Sequence, residues 1–418
     1  MKPGYKQTEI GEIPEDWRAE TFANCFKILP NNTLSRAELN DNGGMVKNVH
    51  YGDILIKYGS ILKCSTTHIP FINSPTKQII TNLLNDGDII IADTAEDETV
   101  GKAVEISEIG KQKIASGLHT IPCRTIIPEL FARGWLGYYI NSLPYHNQLL
   151  PLITGTKVSA ISKSSIAETI VLIPPFPEQE RIAEVLSDVD EFIASLEKLI
   201  AKKRAIKQGT MQQLLTGKMR LSGFDAEWHR IEIRKLGRIV GGGTPSTKNS
   251  DWWNGNIPWI SSSDLTDNNI KNINISRFIT DEAVNSSATC ICPKGTILIV
   301  SRVGLGKVAI APCELCTSQD FTNIITNDIS PVFIAHMISH EMQKMSMKSQ
   351  GTSIKGITVS DISAIELFIP DKNEQEAIAN TLEDIDKEIE SLSQKLSKTR
   401  QFKQGMMQQL LTGKIRLV

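Results

Sequence analysis

The sequence predicts an α/β (α+β) chain in which two mixed α/β globular heads are separated by a pair of long antiparallel coiled-coil helices, as a pseudo-two-fold internal repeat. Three observations carry this expectation. Residues 155–221 recur without a gap as residues 351–417, each position matching the one 196 further on. Inside both copies the apolar residues step by 4, 3, 4, 3 and 4, the spacing of a coiled-coil seam. The flanking stretches, 1–154 and 222–350, do not align at that offset, and Gly, Asn, Asp and Pro break them into short strand-like runs.

At 418 residues the chain is too long for one ordinary core. No apolar run approaches the roughly 20 residues that span a bilayer, and Met1-Lys2-Pro3-Gly4 leads into polar sequence, so the expectation is a cytoplasmic protein without a membrane segment. Seven cysteines scattered through a long chain give no disulfide framework and are expected to be reduced. The formal net charge is −2, so a nucleic-acid surface must come from local clusters of Lys and Arg.

The first head, residues 1–154, contains the strand-like runs Gly52-Asp53-Ile54-Leu55-Ile56 and Gly87-Asp88-Ile89-Ile90-Ile91. The second, residues 222–350, contains Gly295-Thr296-Ile297-Leu298-Ile299. Residues 87–91 followed by Gly101-Lys102-Ala103 resemble 295–299 followed by Gly306-Lys307-Val308, and each head opens near a tryptophan, Trp17 or Trp228. Trp17 precedes Gly155 by 138 positions and Trp228 precedes Gly351 by 123, so the loops differ in length on a related scaffold. Different loops on one scaffold point to different ligands.

The repeats, 155–221 and 351–418, each hold one long helix, over about 177–216 and about 373–412. The seam positions are Ile182, Leu186, Val189, Ile193, Leu196 and Ile200, matched by Ile378, Leu382, Ile385, Ile389, Leu392 and Leu396. The starts fall at the Pro-Glu-Gln-Glu of 177–180 and at Asn373, whose side chain can cap while Glu376 closes a capping box. Gly217 and Gly413 are stop signals, and Gly209 and Gly405 cast doubt on the continuity of the last turns. Residues 178–200 hold seven acids and two bases, and 201–221 hold six bases and no acid. The second copy repeats this polarity, so antiparallel pairing sets acidic halves beside basic ones. Solvated helix faces remain the alternative reading of these charges.

Few catalytic signatures survive inspection. Ile173-Pro174-Pro175-Phe176 lacks the Asn or Asp of an amino-methyltransferase motif, and Gly241-Gly242-Gly243-Thr244 and Gly304-Leu305-Gly306-Lys307 lack the spacing of nucleotide-binding loops. Cys290, Cys292, Cys313 and Cys316 are the nearest approach to a zinc site, although cysteine is often an ordinary buried strand residue. The seven histidines show no ligand spacing, and no Ser/His/Asp or Cys/His set can be assembled.

The variable-repeat-variable-repeat order resembles the specificity subunit of type I restriction-modification systems. The residues that carry the resemblance are the Pro-Phe-Pro-Glu-Gln-Glu-Arg-Ile-Ala stretch of 175–183, its echo Glu-Gln-Glu-Ala-Ile-Ala at 374–379, and Gln-Gln-Leu-Leu-Thr-Gly-Lys at 212–218 and 408–414. The opening at 8–17 is similar to the family's start, and Gly242-Gly243-Thr244-Pro245-Ser246, Ile257-Pro258-Trp259-Ile260 and Gln319-Asp320-Phe321 are similar to its target-recognition domains. The resemblance implies a non-catalytic reader of double-stranded DNA. Each head would recognise half of an asymmetric interrupted site, and the helices would set the spacing and dock two methyltransferase subunits. It also implies restriction-translocase subunits in the full complex. S-adenosylmethionine, ATP and Mg²⁺ would belong to those partners, and this chain would carry no cofactor.

Within that reading, donor side chains near glycine loops are candidates for DNA contact: Lys57, Lys102 and Arg124 in the first head, and Thr244, Ser246, Lys248, Arg302 and Lys307 in the second. Each can equally be an ordinary surface residue or a phosphate contact. Gly155-Thr156-Lys157 and Gly351-Thr352, with Lys355, are candidates for phosphate positioning, with a packing turn as the alternative. Competing readings are a specificity subunit whose partner fuses nuclease and methyltransferase, a stand-alone DNA methyltransferase or nuclease, and a coiled-coil adaptor without DNA affinity.

Overall fold

The computed structural model describes residues 3–155, 157–266, 269–349 and 357–418, with backbone alone for 346–349. The loop candidates Thr156, Gly351, Thr352 and Lys355 lie outside the described residues. The chain divides into two compact units, Met1–Lys198 with Ser393–Val418, and Leu199–Leu392. The division crosses two long helices, Phe176–Leu214 and Lys372–Leu410, so each helix lends one half to each unit.

The first unit carries a five-stranded sheet in the order Phe26–Ile28, Thr120–Thr125, Ile89–Ala92, Ala103–Ser107, Ile61–Lys63. A second sheet runs Ile114–Ser116, Lys47–Val49, Phe71–Ile72, Leu39–Asn40. In the second unit the corresponding sheets are Gly237–Gly241, Phe321–Thr326, Ile297–Val300, Val308–Ile310, and Arg277–Ile279, Ile257–Ile260, Leu315–Thr317, Ile291–Cys292. The strands Ile89–Ala92 and Ile297–Val300 are buried at every position, which is why each is a continuous apolar run rather than an alternating one. Both units are therefore mixed α/β, with the same strand order through the first sheet and one further edge strand, Ile61–Lys63, in the first.

One strand expectation is corrected. Residues 52–56 belong to a helix, Tyr51–Ile56. The His50 ring accepts from Gly52 N and caps the first turn, and Asp53 meets Lys57 one turn on at 2.9 Å. Ile54 is buried while Ile56 is 85% exposed, so the apolar run does not serve a sheet.

The long helices are continuous through Gly209 and Gly405, whose absent side chains face open space. Their ends are at Leu214 and Leu410, two residues short of expectation, because the chain unwinds toward the left-handed Gly217 (φ +67) and Gly413 (φ +69). The cap of the second helix is Asp371, not Asn373: the Asp371 carboxylate accepts from Glu374 N at 3.1 Å, which leaves Asn373 inside the first turn. Of the seam positions, Ile182, Leu186, Leu196, Ile200, Ile378 and Leu382 are buried. Val189, Ile193, Ile385, Ile389, Leu392 and Leu396 are half-buried.

Charge is distributed within each unit as the polarity of the repeat requires. In the first, Asp190 pairs with Lys403 (2.6 Å) and Glu197 with Arg400 (2.5 Å). In the second, Lys203 pairs with Glu388 (2.7 Å) and Lys207 with Asp386 (2.6 Å). In each unit one helix number rises as the other falls, so the paired segments run in opposite directions.

The Glu-Gln pair in each repeat owes its chemistry to the junction between head and helix. Glu178, buried, accepts from Trp17 Nε1 (2.9 Å) and from both Arg416 Nε (2.7 Å) and Nη2 (2.8 Å). Glu374, also buried, accepts from Trp228 Nε1 (3.1 Å) and from Arg220 Nε (2.6 Å) and Nη2 (2.7 Å). Gln179 and Gln375 accept from the backbone N–H of Ala132 and Ser330 and donate to the carbonyls of Pro174 and Pro370. Beneath these bonds the first core joins Trp17 and Trp135 to Ile182, Leu186, Leu410 and Leu411, and the second joins Trp228 and Phe333 to Leu214, Leu215, Ile378 and Leu382. Each head is thus sealed by the start of one long helix and the end of the other.

Candidate nucleic-acid interface

In the second unit the edge strand Gly237–Gly241 leads into a loop that crosses to the other sheet, where Gly243 N donates to Thr317 O at 2.8 Å. Glycine is required here. A Cβ on Gly242 would lie 2.0 Å from Ser318 O, and one on Gly243 would lie 2.5 Å from the Ala288 backbone. Trp259 Nε1 donates to Gly243 O (2.9 Å), Trp253 packs edge-on against Trp259, and the Arg277 guanidinium covers the Trp259 ring at 4.6 Å. Past this anchor, Thr244, Ser246 and Lys248 are exposed, and the Thr244 hydroxyl donates to Gln319. The neighbouring loop presents an exposed Arg302 beside Val303, which is 72% exposed.

The first head has an equivalent crossing loop that its sequence does not reveal. After Phe26–Ile28 the chain reads Pro30-Asn31-Asn32-Thr33, and Asn32 N donates to Ser116 O at 2.9 Å, as Gly243 does to Thr317. The Asn32 amide then donates to Asn48 Oδ1 (2.7 Å) and Ser116 O (2.8 Å), while Asn31 donates to Gly117 O (3.2 Å). Strand pairing places Asn48 where the second head has Trp259. Thr33 accordingly corresponds to Thr244. Asn-Asn-Thr and Gly-Gly-Thr share too little for alignment, and only the polar turn composition of 30–33 was a signal.

The sequence-chosen cations divide into two groups. Lys102 Nζ donates to Leu55 O and Lys307 Nζ to Leu265 O, both at 2.9 Å, so the paired Gly-Lys sequences make the same internal tie. Burial pushes the Lys102 ammonium down. Arg124 forks onto Asp88 (2.7 and 2.6 Å) and also donates to Leu83 O. Lys57 shares Asp53 with Arg36. Burial opposes ionisation of Asp53, but the hydrogen bonds from Arg36 and Lys57 hold its carboxyl below the usual range. Gly155 (φ +108) and Lys157 lie in a hairpin, closed by the bridge between Thr154 and Ala160, whose strand Ser159–Ala160 pairs with Thr94–Ala95. Lys157 is exposed.

Equivalent loops carry opposite charge: Glu96, Asp97 and Glu98 are exposed after Thr94–Ala95, where the second head offers Arg302. Cys292 and Cys316 are buried on adjacent strands, and burial pushes their thiols up to about 12 and about 11. Cys290 Sγ donates to Gly241 O at 3.2 Å. Among the described residues no group of three or more His, Cys, Asp or Glu is placed to hold a metal, and no helix is long and apolar enough to cross a membrane.

Each mixed α/β head is thus clamped to the start of one long helix and the end of the other, and its crossing loop presents an exposed threonine, Thr33 or Thr244. Residues 14–207 and 225–399 match the family described as the type I restriction modification DNA specificity domain, and the chain belongs to that family. Its role is that of the DNA-binding, non-catalytic specificity chain of a type I restriction-modification complex. Among relatives, it is 26% identical over 432 residues to the putative type I restriction enzyme MjaX specificity subunit of Methanocaldococcus jannaschii, covering 99% of this chain and 97% of that one. It is 38% identical over 174 residues to the MjaIX specificity subunit of the same organism, covering 40% and 39%. The fold is similar to the crystal structure of the type I S subunit from M. genitalium, at 14% identity and a TM-score of 0.58, covering 98% of this chain and 99% of that one.

Proposed function

We propose that each head reads one half of a bipartite, asymmetric DNA site, with residues 1–154 and 222–350 as the two target-recognition domains. Residues 155–221 and 351–418 are the repeats. Their helices form an antiparallel coiled coil with pseudo-two-fold symmetry that sets the spacing of the half-sites and docks two methyltransferase subunits. Restriction-translocase subunits complete the assembly, with S-adenosylmethionine, ATP and Mg²⁺ held by the partners.

The observation that carries this reading is the pairing of like frames with unlike loops. Both units keep the same first-sheet order and the same Trp–Glu–Arg clamp, whose Glu and Arg stand 196 positions apart, yet the crossing loops are Asn-Asn-Thr in one and Gly-Gly-Thr in the other. Like frames serve a common helical support, and unlike loops serve unlike base sequences. Candidate base-reading residues are Thr33 in the first head and Thr244, Ser246, Lys248 and Arg302 in the second, with Lys157 a phosphate contact. Lys57, Lys102, Arg124 and Lys307 act mainly in holding the loops, since each has a partner inside its own head.

Replacing residues 222–350 with the equivalent head of a relative, in a host carrying the methyltransferase partners, tests this directly. Sequencing of methylated sites should show one half-site changed, with the other half and the spacer kept. A change in both halves, or retention of the parental site, would refute the two-reader arrangement.

A further inference from the structure

The two units are framed alike, and one position sets them apart. In both, a buried ring packs edge-on against the opening tryptophan: Trp135 against Trp17 (6.1 Å) and Phe333 against Trp228 (6.3 Å). Three residues before each ring, Ala132 N and Ser330 N donate to Gln179 and Gln375. Three residues after it stand Tyr138 and His336, which therefore occupy equivalent places.

In the first unit this place is filled. The Tyr138 hydroxyl donates to Asp190 (2.9 Å), Asp190 pairs with Lys403 (2.6 Å), and the Lys403 ammonium lies 5.2 Å from the Tyr138 ring centre. The second unit keeps the repeat equivalents of the ion pair, Asp386 and Lys207, 2.6 Å apart. His336, however, is shorter than tyrosine and only 3% exposed, and its ring makes no hydrogen bond among the described residues. Beside it a cavity of about 530 Å³ opens, with Arg204, Lys207, Gln208, His336, Ser339 and Asp386 in its wall.

The chemistry of that wall favours an anion. Asp386 is already neutralised by Lys207, whereas Arg204 has no ion-pair partner among the described residues, so the balance of these groups is positive. Burial, with the charges of Lys207 and Lys271 added, pushes the His336 imidazole down to about 3. The ring is neutral at physiological pH and offers one N–H donor and one acceptor. A guanidinium fork, an ammonium, an imidazole N–H, and the Gln208 amide and Ser339 hydroxyl together supply the donors that a phosphate group requires. The volume lies within the range of small-molecule sites.

We propose that this cavity, between Arg204 and His336 in the second unit, binds a small phosphate-bearing ligand; in the first unit the larger Tyr138 stands in the place of His336. No residue of this wall is among the DNA-contact candidates, so the site is independent of the bipartite reading.

The test is equilibrium dialysis of the full chain, held with its methyltransferase partners, against radiolabelled inorganic phosphate and, in a separate arm, 5′-AMP. One saturable equivalent is expected. Preference for phosphate would identify the free anion as the ligand, and preference for 5′-AMP a phosphorylated metabolite. His336→Tyr should fill the cavity, rebuild the Tyr–Asp–Lys cluster and abolish binding. Arg204→Gln, at an exposed position that leaves the packing intact, should weaken binding at least tenfold. Absence of saturable binding at millimolar concentration in both arms would overturn the proposal, as would binding unchanged in Arg204→Gln. Displacement of the bound phosphate by a cognate duplex would also overturn it, by assigning the cavity to the DNA surface.

Discussion

Arg416→Ala tests whether the tryptophan–glutamate–arginine clamp holds a head to the helices. The Glu178 side chain is 1% exposed and is met by the Trp17 indole, by two nitrogens of Arg416 and by Leu417 N at 3.3 Å. Removing the guanidinium leaves a buried carboxylate with one indole and one backbone donor. Breaking a buried pair on one side costs about 3–5 kcal/mol. Arg416 itself is 23% exposed, so water can reach the vacated space and the lower end, about 3 kcal/mol, is expected. With a urea m-value of about 2–3 kcal/mol/M, the midpoint of the first unit's transition should fall by about 1 M. Urea unfolding of the full chain, followed by tryptophan fluorescence, measures this. Arg220→Ala should do the same to the second unit, where Glu374 is fully buried. Combining Arg416→Ala with Trp17→Phe should be markedly non-additive, because both act on one carboxylate. A loss below about 1 kcal/mol would refute the reasoning, since the pair would then behave as an exposed ion pair.

Three further outcomes are expected. Gly209→Ala and Gly405→Ala should each raise stability by about 0.5–1 kcal/mol in thermal unfolding, because both are helical and open. Gly413→Ala should destabilise more than Gly217→Ala: both residues are left-handed, but the new Cβ would lie 2.5 Å from Pro14 at 413 and 3.6 Å from the Trp228 ring at 217. Burial pushes the Glu105 carboxyl up from 4.5 to about 7, against hydrogen bonds from Gly134 N and Gly137 N, so this group's contribution to stability is present in acid and lost as pH rises through 4.5 to 7. That shift corresponds to roughly 3 kcal/mol, and urea midpoints across this range should fall less steeply in Glu105→Gln than in the parent. Lys157→Ala should weaken binding to specific and non-specific duplexes equally and lower the salt slope by about one, and an unchanged slope would assign the hairpin to packing alone.

The sequence by itself determined the frame. Apolar period and charge polarity along 177–216 and 373–412 point to two long helices, because both are local properties that any packing must respect. The stop glycines and the buried isoleucine strands were legible for the same reason. The sequence points to Asn373 where Asp371 caps, because the two have interchangeable chemistry and only the backbone path decides which side chain reaches the free N–H groups. Residues 52–56 read as a strand because a short apolar run has no period to distinguish it, and the partnership of Asp53 with Arg36 lies far along the chain. The meaning of Glu178 and Glu374 was likewise out of reach. Their partners, Trp17 with Arg416 and Trp228 with Arg220, are separated from them by up to 238 residues, and only folding shows that these charges are buried clamps rather than exposed chemistry. Tertiary structure alone also matched Asn32 to Gly243 and Tyr138 to His336, since equivalence of unlike residues is set by shared neighbours in space and leaves no trace in their identity.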